Sequence, residues 1–239
     1  MTRLRAFPVA LLIASLLVVG AFPPTSAVRI ANAQEVGAPA ADLLQTAATN
    51  MLEYDTMKFD LVYEKGSTKL FTGIKMTEAT GEIQRPGKLK ATVKTKVGFV
   101  KIDVKATVIG DQAWVRAVGI SEDYTLPESL SHIIADPVLL LPDIAQAVEN
   151  PVVSKIETTK NGEELVWVSG TFNPSLIQDD AVRGYAEVLG SRPVDIAIDS
   201  EGRIVSVRLS GQFISQDSKD VVRRLDIYGF GDPVEINHT

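Results

Sequence analysis

The feature that most constrains the fold is a long alternation of apolar and polar residues in the middle of the chain. Residues 89–97 alternate, Gly98 reverses the chain, residues 100–108 alternate again, and Gly110-Asp111 leads into a third run over residues 113–118. A period of two is typical of strands with one buried and one wet face. Turns this short cannot cross over a sheet, so the strands must be antiparallel neighbours. The pattern predicts an antiparallel meander.

The same alternation predicts further strands on both sides of this meander. They cover residues 57–64, one or two strands within 69–83, then 152–159, 164–172, 193–199, 204–212 and 221–230. Asn161-Gly162, between two of these runs, is a strong hairpin signal. In all, roughly ten antiparallel strands are expected.

Helical spacing of apolar residues occurs in only a few places. It predicts helices over residues 42–54, 128–135, 142–149 and 173–189, and the proline-rich residues 121–150 are otherwise expected to be irregular. So few helices cannot cover both faces of a sheet. We therefore expect an α+β fold in which one large, strongly curved antiparallel sheet wraps its apolar face around a few helices, without a domain boundary.

The apolar face of the predicted sheet carries small or branched side chains, and aromatic residues make up only 6% of the chain. Such a face needs either closely packed helices or a ligand to fill it. A closed core is the commoner explanation for any one of these residues. The apolar, proline-broken residues 133–148 favour a ligand, because they would lie at the rim of the concave face.

The composition offers little for catalysis or metal binding. The chain has no cysteine, which excludes disulfides, Fe–S clusters, thiolate zinc sites and thiol nucleophiles, and its two histidines are His132 and His238. Ser131 precedes His132, but sequence neighbours rarely form a nucleophile–base pair, and no G-x-S-x-G motif is present. We expect no catalytic residue, no metal site and no cofactor, hence no enzyme. A hydrolase that uses Ser131 is the remote alternative.

The first 33 residues have the features of a secretory signal peptide. Arg3 and Arg5 precede an uncharged apolar stretch over residues 6–22, and Ala31-Asn32-Ala33 is a small-residue cleavage site before Gln34. This order of features predicts export, to the periplasm, the extracellular space or the cell envelope.

Two points about the leader stay open at the level of the sequence. Cleavage after Ala27 is a second possibility, and an uncleaved membrane anchor is the rival interpretation. The preferred division of the chain is a signal peptide over residues 1–33, a linker over residues 34–41 and one domain over residues 42–239.

The charge of the chain restricts its partners. The net charge is −6, and the leader contains three of the basic residues and no acidic one, so the exported part is more negative still. A negative surface argues against nucleic acid as a partner, and against adsorption to anionic lipid by overall charge alone. One group of lysines is most simply the wet face of two strands, although it could meet an anionic headgroup. These are Lys90, Lys94, Lys96, Lys101 and Lys105.

Several of these features together resemble a known family. They are the helix over residues 42–54 followed by Met57-Lys58-Phe59-Asp60, the strand pair over 89–108, Trp114 with the later Asp136-Pro137 loop and the helix over 143–148, the Asn161-Gly162 hairpin, the Pro174-Ser175 helix start, and the closing residues 228–234. In these features the chain resembles the LppX/LprG-type envelope lipoproteins of actinobacteria, which share their architecture with the Lol lipoprotein carriers. That family usually has a lipobox cysteine at the processing site, where this sequence has Ala33-Gln34.

The resemblance implies a half-barrel sheet around helices, enclosing an apolar cavity for an acylated lipid or glycolipid that is carried across the envelope. The implied carrier contacts membranes transiently and acts as a monomer. On this hypothesis the acyl chains contact the concave face and a segment at its entrance. The concave-face residues are Phe59, Leu61, Val93, Val100, Ile102, Val104 and Val115, and the entrance residues are Ile133, Leu139, Leu140, Leu141 and Ile144. The alternative is a half-barrel envelope sensor or protein-interaction module that transports no lipid.

Overall fold

The computed structural model describes residues 40–71, 74–178, 183, 191–212 and 217–237. The signal peptide and almost all of the linker predicted above lie outside the described residues. That division of the chain therefore stays a prediction, and the structure bears on the domain that follows.

The described residues form twelve strands and three α-helices. The strands are β1 (Thr56–Lys65), β2 (Thr68–Phe71), β3 (Ile74–Gln84), β4 (Lys88–Val97), β5 (Val100–Ile109), β6 (Gln112–Ala117), β7 (Ile120–Thr125), β8 (Val148–Thr158), β9 (Glu164–Phe172), β10 (Arg192–Asp199), β11 (Ile204–Ser210) and β12 (Val222–Tyr228). The helices are α1 (Ala40–Asn50), α2 (Glu128–Ala135) and α3 (Leu141–Gln146). Short 3₁₀ turns occupy Met51–Glu53, Pro137–Leu140 and Pro174–Leu176.

All twelve strands belong to one sheet. Its order is β7-β6-β5-β4-β3-β1-β12-β11-β10-β9-β8, with β2 added to β3, and the pairings between named strands are antiparallel. Strands β7 and β8 are the two ends of this order, so the sheet is open within the described part of the chain. The expected fold class, a curved half-barrel sheet with a few helices, is confirmed.

Strand β4 shows how the alternation sets the two faces of the sheet. Leu89, Ala91 and Val93 are at most 1% exposed, whereas Lys90 and Lys94, at alternate positions of the same strand, are exposed. Successive side chains of a strand point to opposite faces, so the period of two in the sequence becomes one dry and one wet face. We call the dry face the inner face.

The three helices cover the inner face. Helix α1 and the turn after it bury Leu44, Ala47, Ala48 and Met51, and α1 contacts α3 and β8. Helix α2 contacts β4 and β5. Because the helices lie on one side, the hydrophobic core is the space between them and the sheet.

The proline-rich part of the chain is more regular than its composition predicts. Residues 121–125 were expected in an irregular segment and belong to β7, where Glu122 and Asp123 pair with β6. The helix predicted over 142–149 starts one residue earlier and is shorter, and β8 already begins at Val148. Pairing with β6 gives the backbone groups of residues 121–125 hydrogen bonds within the sheet, which explains the gain in regular structure.

Of the helix predicted over 173–189, the structure describes the 3₁₀ turn Pro174–Leu176, and most of the remainder lies outside the described residues.

Gly81 gives a test of the inner-face packing. A β-carbon at this position would lie 2.4 Å from Cζ of Phe59 and 2.5 Å from the backbone oxygen of Lys90. We expect Gly81→Ala to lower the free energy of unfolding by about 2 kcal/mol, because both the Phe59 ring and the backbone at Lys90 must move. Urea denaturation measures this change.

Two further variants control this prediction. Thr80→Ala, one residue away on the outer face, should change stability by no more than about 0.5 kcal/mol. The loss of stability caused by Gly81→Ala should be smaller in a Phe59→Leu background than in the wild type. A Gly81→Ala protein as stable as the wild type would contradict the packing described here.

Candidate functional site

The inner face carries an unbroken apolar row across nine neighbouring strands, from β5 to β8. Each residue of this row is the register partner of the next, and all nine are Val, Ala, Leu or Ile. In order they are Val104, Val93, Ala79, Leu61, Leu225, Val207, Ile196, Val168 and Val153. Six of the nine are buried, Val104 and the central Leu225 are half-buried, and Val153 on the edge strand is exposed. The row forms a continuous hydrocarbon surface that runs across most of the sheet.

A second row beside it has small or branched residues at one end and Phe59 and Ile227 at the other. Its members, in register order, are Val115, Ala106, Ala91, Gly81, Phe59 and Ile227. The Phe59 ring lies against Gly81, where the missing side chain leaves room for it. Small residues on one side of Phe59 keep this part of the inner face shallow, so that helices or a ligand can approach the backbone closely.

The structure places the seven predicted concave-face residues on the inner face, but with different degrees of cover. Phe59, Leu61, Val93 and Val115 are buried, and Ile102 and Val104 are half-buried. Val100 lies at the end of the β4–β5 hairpin and is 61% exposed. The cover by the helices therefore decreases along β5 towards that hairpin end.

The predicted entrance residues lie in the connection between α2 and β8. Leu140, Leu141 and Ile144 are buried in the core, while Leu139 is 38% exposed. Ile133 belongs to α2, and its side chain lies outside what the structure describes. Of the four residues whose side chains the structure describes, Leu139 is the one that a molecule in solvent can reach directly.

An ion pair fixes the start of this connection. Arg85, in the turn between β3 and β4, donates from Nε to both carboxylate oxygens of Asp136 at 3.0 and 2.9 Å, and from Nη1 to the carbonyl oxygen of Leu52 at 2.7 Å. Both charged side chains are largely removed from water. Burial raises the pKa of Asp136, and the bonds from Arg85 oppose this rise. One arginine thus ties the sheet to the end of α1 and to the residues before Pro137.

A buried polar cluster lies at the other end of the inner face, near the ends of β1 and β12. The Tyr63 and Thr68 hydroxyls lie 2.6 Å apart, Thr68 donates to Asp217 at 2.5 Å, and Asp217 forms an ion pair with Arg223. Since the Thr68 proton goes to the carboxylate, the Tyr63 hydroxyl is the donor to Thr68. Burial raises the pKa of Tyr63, and the charge of Arg223, whose guanidinium lies 5.5 Å from the ring centre, opposes the rise.

Sequence reasoning missed both of these polar groups. For the second cluster a signal existed, because Arg223 alternates with Leu225 and Ile227 and so occupies a dry-face position in β12. A charge at such a position predicts a buried partner. Nothing in the sequence identifies Asp136 as the partner of Arg85, because the two residues lie far apart in the chain. Nor does it identify Asp217 as the partner of Arg223, because Asp217 lies outside the named strands.

The described residues show no group of three or more histidines or carboxylates placed to hold a metal ion. The Ser131 hydroxyl donates to the carbonyl oxygen of Glu128 at 3.2 Å, and the side chain of His132 lies outside what the structure describes. Within the described ranges, no helix has both the length and the hydropathy that a membrane span requires.

Comparison by sequence finds no known protein that matches this chain, whereas comparison by structure does. No family model matches this chain, and no curated protein matches its sequence. Among solved structures, LprF from Mycobacterium bovis is 15% identical with a TM-score of 0.56, and the match covers 83% of this chain and 96% of that chain. This similarity shows the fold, and the predicted LppX/LprG-type architecture is confirmed.

Two other solved structures match more loosely. MucB, in a complex with MucA(peri), is 14% identical with a TM-score of 0.33, and the match covers 80% of this chain and 55% of that chain. A LolA superfamily protein, NE2245 from Nitrosomonas europaea, is 11% identical with a TM-score of 0.29, with 80% and 92% covered. The fold assignment therefore rests on LprF.

The buried polar cluster can be tested against a surface pair on the same strand. We expect Arg223→Met to lower the free energy of unfolding by about 3 kcal/mol, because Asp217 is left buried without its cation. Arg224 points to the outer face and pairs with Glu64 and Asp226. Arg224→Met should therefore cost less than about 1 kcal/mol. Equal losses for the two variants in thermal or urea unfolding would contradict the assignment of Arg223 to the interior.

Proposed function

We propose that this protein is an exported carrier that binds an acylated lipid or glycolipid and shields its acyl chains during transfer across the cell envelope. The observation that carries the proposal is the apolar row across nine strands of a sheet that, in the described ranges, is open and covered by three short helices. The LprF-like fold agrees with it. The signal peptide over residues 1–33 would direct the domain over residues 42–239 out of the cell.

Hydrocarbon transfer alone accounts for the binding that a carrier needs. Each buried CH₂ contributes about 0.8 kcal/mol, so a sixteen-carbon chain gains roughly 13 kcal/mol gross on leaving water. An apolar cavity between the inner face and the helices would offer the chain an environment like that of a membrane. The proposed activity is therefore non-enzymatic, requires no cofactor and suits a monomer.

Within this proposal the acyl chains lie along the part of the inner face where helical cover decreases. Along β5 towards the β4–β5 hairpin, Val104 and Ile102 are half-buried and Val100 is 61% exposed. The deeper contacts are Phe59, Leu61, Val93 and Val115. The residues 139–144, with Ile133 nearby in sequence, would form the gate, and Leu139 is its solvent-facing member.

A protein-interaction module is the second candidate, and the edge strand β8 favours it. Val152, Val153 and Ile156 are 58%, 48% and 51% exposed, and β8 pairs on one side with β9. An exposed apolar edge of this kind fits a partner that adds a strand to the sheet. In that case the space over the inner face would be closed or empty.

Native mass spectrometry of the exported protein, purified without detergent, tests the proposal. We expect a mass excess that disappears on organic extraction and yields an acyl lipid, because bound hydrocarbon has no favourable place in water. A clean apo mass that does not change after incubation with lipid vesicles would contradict the carrier and favour the protein-interaction module.

A pair of neighbouring substitutions on β5 tests where the chain binds. Ile102→Asn places an amide on the inner face, and we expect about tenfold weaker binding of a fluorescent acyl probe, because the amide must lose water when the chain covers it. Asp103→Asn introduces the same side chain on the outer face and should leave probe binding unchanged. Equal affinities of the two variants, with circular dichroism spectra like the wild type, would remove this part of β5 from the site.

A further inference from the structure

Four lysines form a row of direct cross-strand neighbours at one end of the sheet. Lys69 pairs with Lys75, Lys75 with Lys96, and Lys96 with Lys101, so the row crosses β2, β3, β4 and β5. All four are exposed on the outer face. Like charges directly opposite each other destabilise a sheet, so the row has a cost that the fold itself does not explain.

No carboxylate within the described part of the chain forms an ion pair with any of these four lysines. The neighbouring row on the outer face, which contains Lys94, does have such pairs. There Lys94 bonds Glu78 at 2.7 Å and has Asp103 as its register partner on the other side. Between Glu82 and Asp103 the sequence has six basic residues and no acidic one, although the net charge of the whole chain is −6. The positive charge is therefore local and uncompensated.

The same end of the sheet presents apolar side chains to solvent. Phe99, in the β4–β5 turn, is fully exposed, and Val100 beside it is 61% exposed. Gly98 has nothing within 4 Å of the place where a β-carbon would be, so there is open space beside the turn. Pairing between β5 and β6 begins only at Lys105, so the end of the hairpin extends past β6 by about 15 Å at roughly 3.3 Å per residue. We call Phe99, Val100 and the four lysines the basic tip.

We propose that the basic tip docks on the surface of an anionic lipid bilayer. Phe99 and Val100 enter the interfacial region, while Lys69, Lys75, Lys96 and Lys101 contact lipid phosphates. Exposed apolar side chains next to a row of lysines suit an anionic membrane, since burial of the apolar groups and attraction of the lysines to phosphates each contribute to binding. The charge complementarity selects a bilayer of negative surface over a neutral one.

The place of the tip relates this docking to the inner face. Ile74 and Val100 directly adjoin Lys75 and Lys101 in sequence, so their side chains lie on the inner face, at the same end of the sheet as the lysines. A bilayer at the tip would therefore meet the end of β5 at which the inner-face side chains are most exposed. The purpose of the docking, exchange of an acyl chain, rests on the proposed function, whereas the docking itself does not.

Vesicle co-sedimentation of the exported protein tests the docking. The vesicles are phosphatidylcholine alone or phosphatidylcholine mixed with phosphatidylglycerol. The wild type should bind the mixed vesicles, bind the neutral ones at least about tenfold less, and lose binding as salt rises. Lys96→Ala with Lys101→Ala should lower the partition coefficient about thirtyfold. Phe99→Ser should lower it about tenfold while leaving the salt dependence unchanged.

The matched control is Lys94→Ala with Lys105→Ala, which removes the same charge from the same two strands. It should lower binding by no more than about threefold, because these lysines lie farther from the tip and Lys94 is already paired. Equal losses in the two double variants would overturn the proposal. So would absence of wild-type vesicle binding together with retention on immobilised polyglutamate, which would indicate an acidic protein partner.

Native mass spectra of the same variants separate this proposal from the carrier function. Bound lipid without vesicle docking would reject the basic tip and leave the carrier intact. Vesicle docking that depends on Lys96 and Phe99, in a protein without bound lipid, would support the tip and reject the carrier. All substituted side chains are exposed, so circular dichroism should show an unchanged fold.

Discussion

The pairing register of the antiparallel sheet is the constraint on which the rest of this structure depends. It aligns one apolar residue from each of nine strands in the same row, although these residues come from the whole length of the domain. A shift of one residue in any single pairing would turn that strand's apolar side chains towards water. The hydrophobic surface, the position of the helices over it and the separation of the lysines onto the opposite face all follow from this one alignment.

Two ion pairs hold the ends of the covered space in different ways. Arg85 and Asp136 join the sheet to the connection between α2 and β8, so this connection begins from a fixed point. Arg223 and Asp217, with Thr68 and Tyr63, occupy inner-face positions where hydrocarbon would otherwise be expected. Buried charges need partners, and the Arg85–Asp136 pair and the Thr68–Asp217 hydrogen bond each join distant segments of the chain.

The sequence was sufficient to predict the strands of the central meander, because alternation and glycine turns are local signals. It also predicted the helix Glu128–Ala135 at the bounds observed. It did not predict β7, since Ile120 to Thr125 are mostly polar and take their strand conformation from pairing with β6. The apolar members of the candidate site could be named from alternation, but their exposure could not, because cover depends on where helices from elsewhere in the chain pack. Pairs such as Arg85 with Asp136 have no local signature at all.

The order of the strands has a consequence for how the chain reaches this structure. Strands β3 to β7 pair with sequence neighbours, and so do β8 to β12, so each half of the sheet can form from local hairpins. The halves meet through β1 and β12. There Lys58 pairs with Tyr228, although most of the domain's sequence lies between them. Closing such a long loop is slow compared with forming a hairpin, so this seam is the expected last step of folding. Until the final strand has emerged and joined β1, the nine-strand row exists as two exposed halves, and the chain must be protected from aggregation for that time.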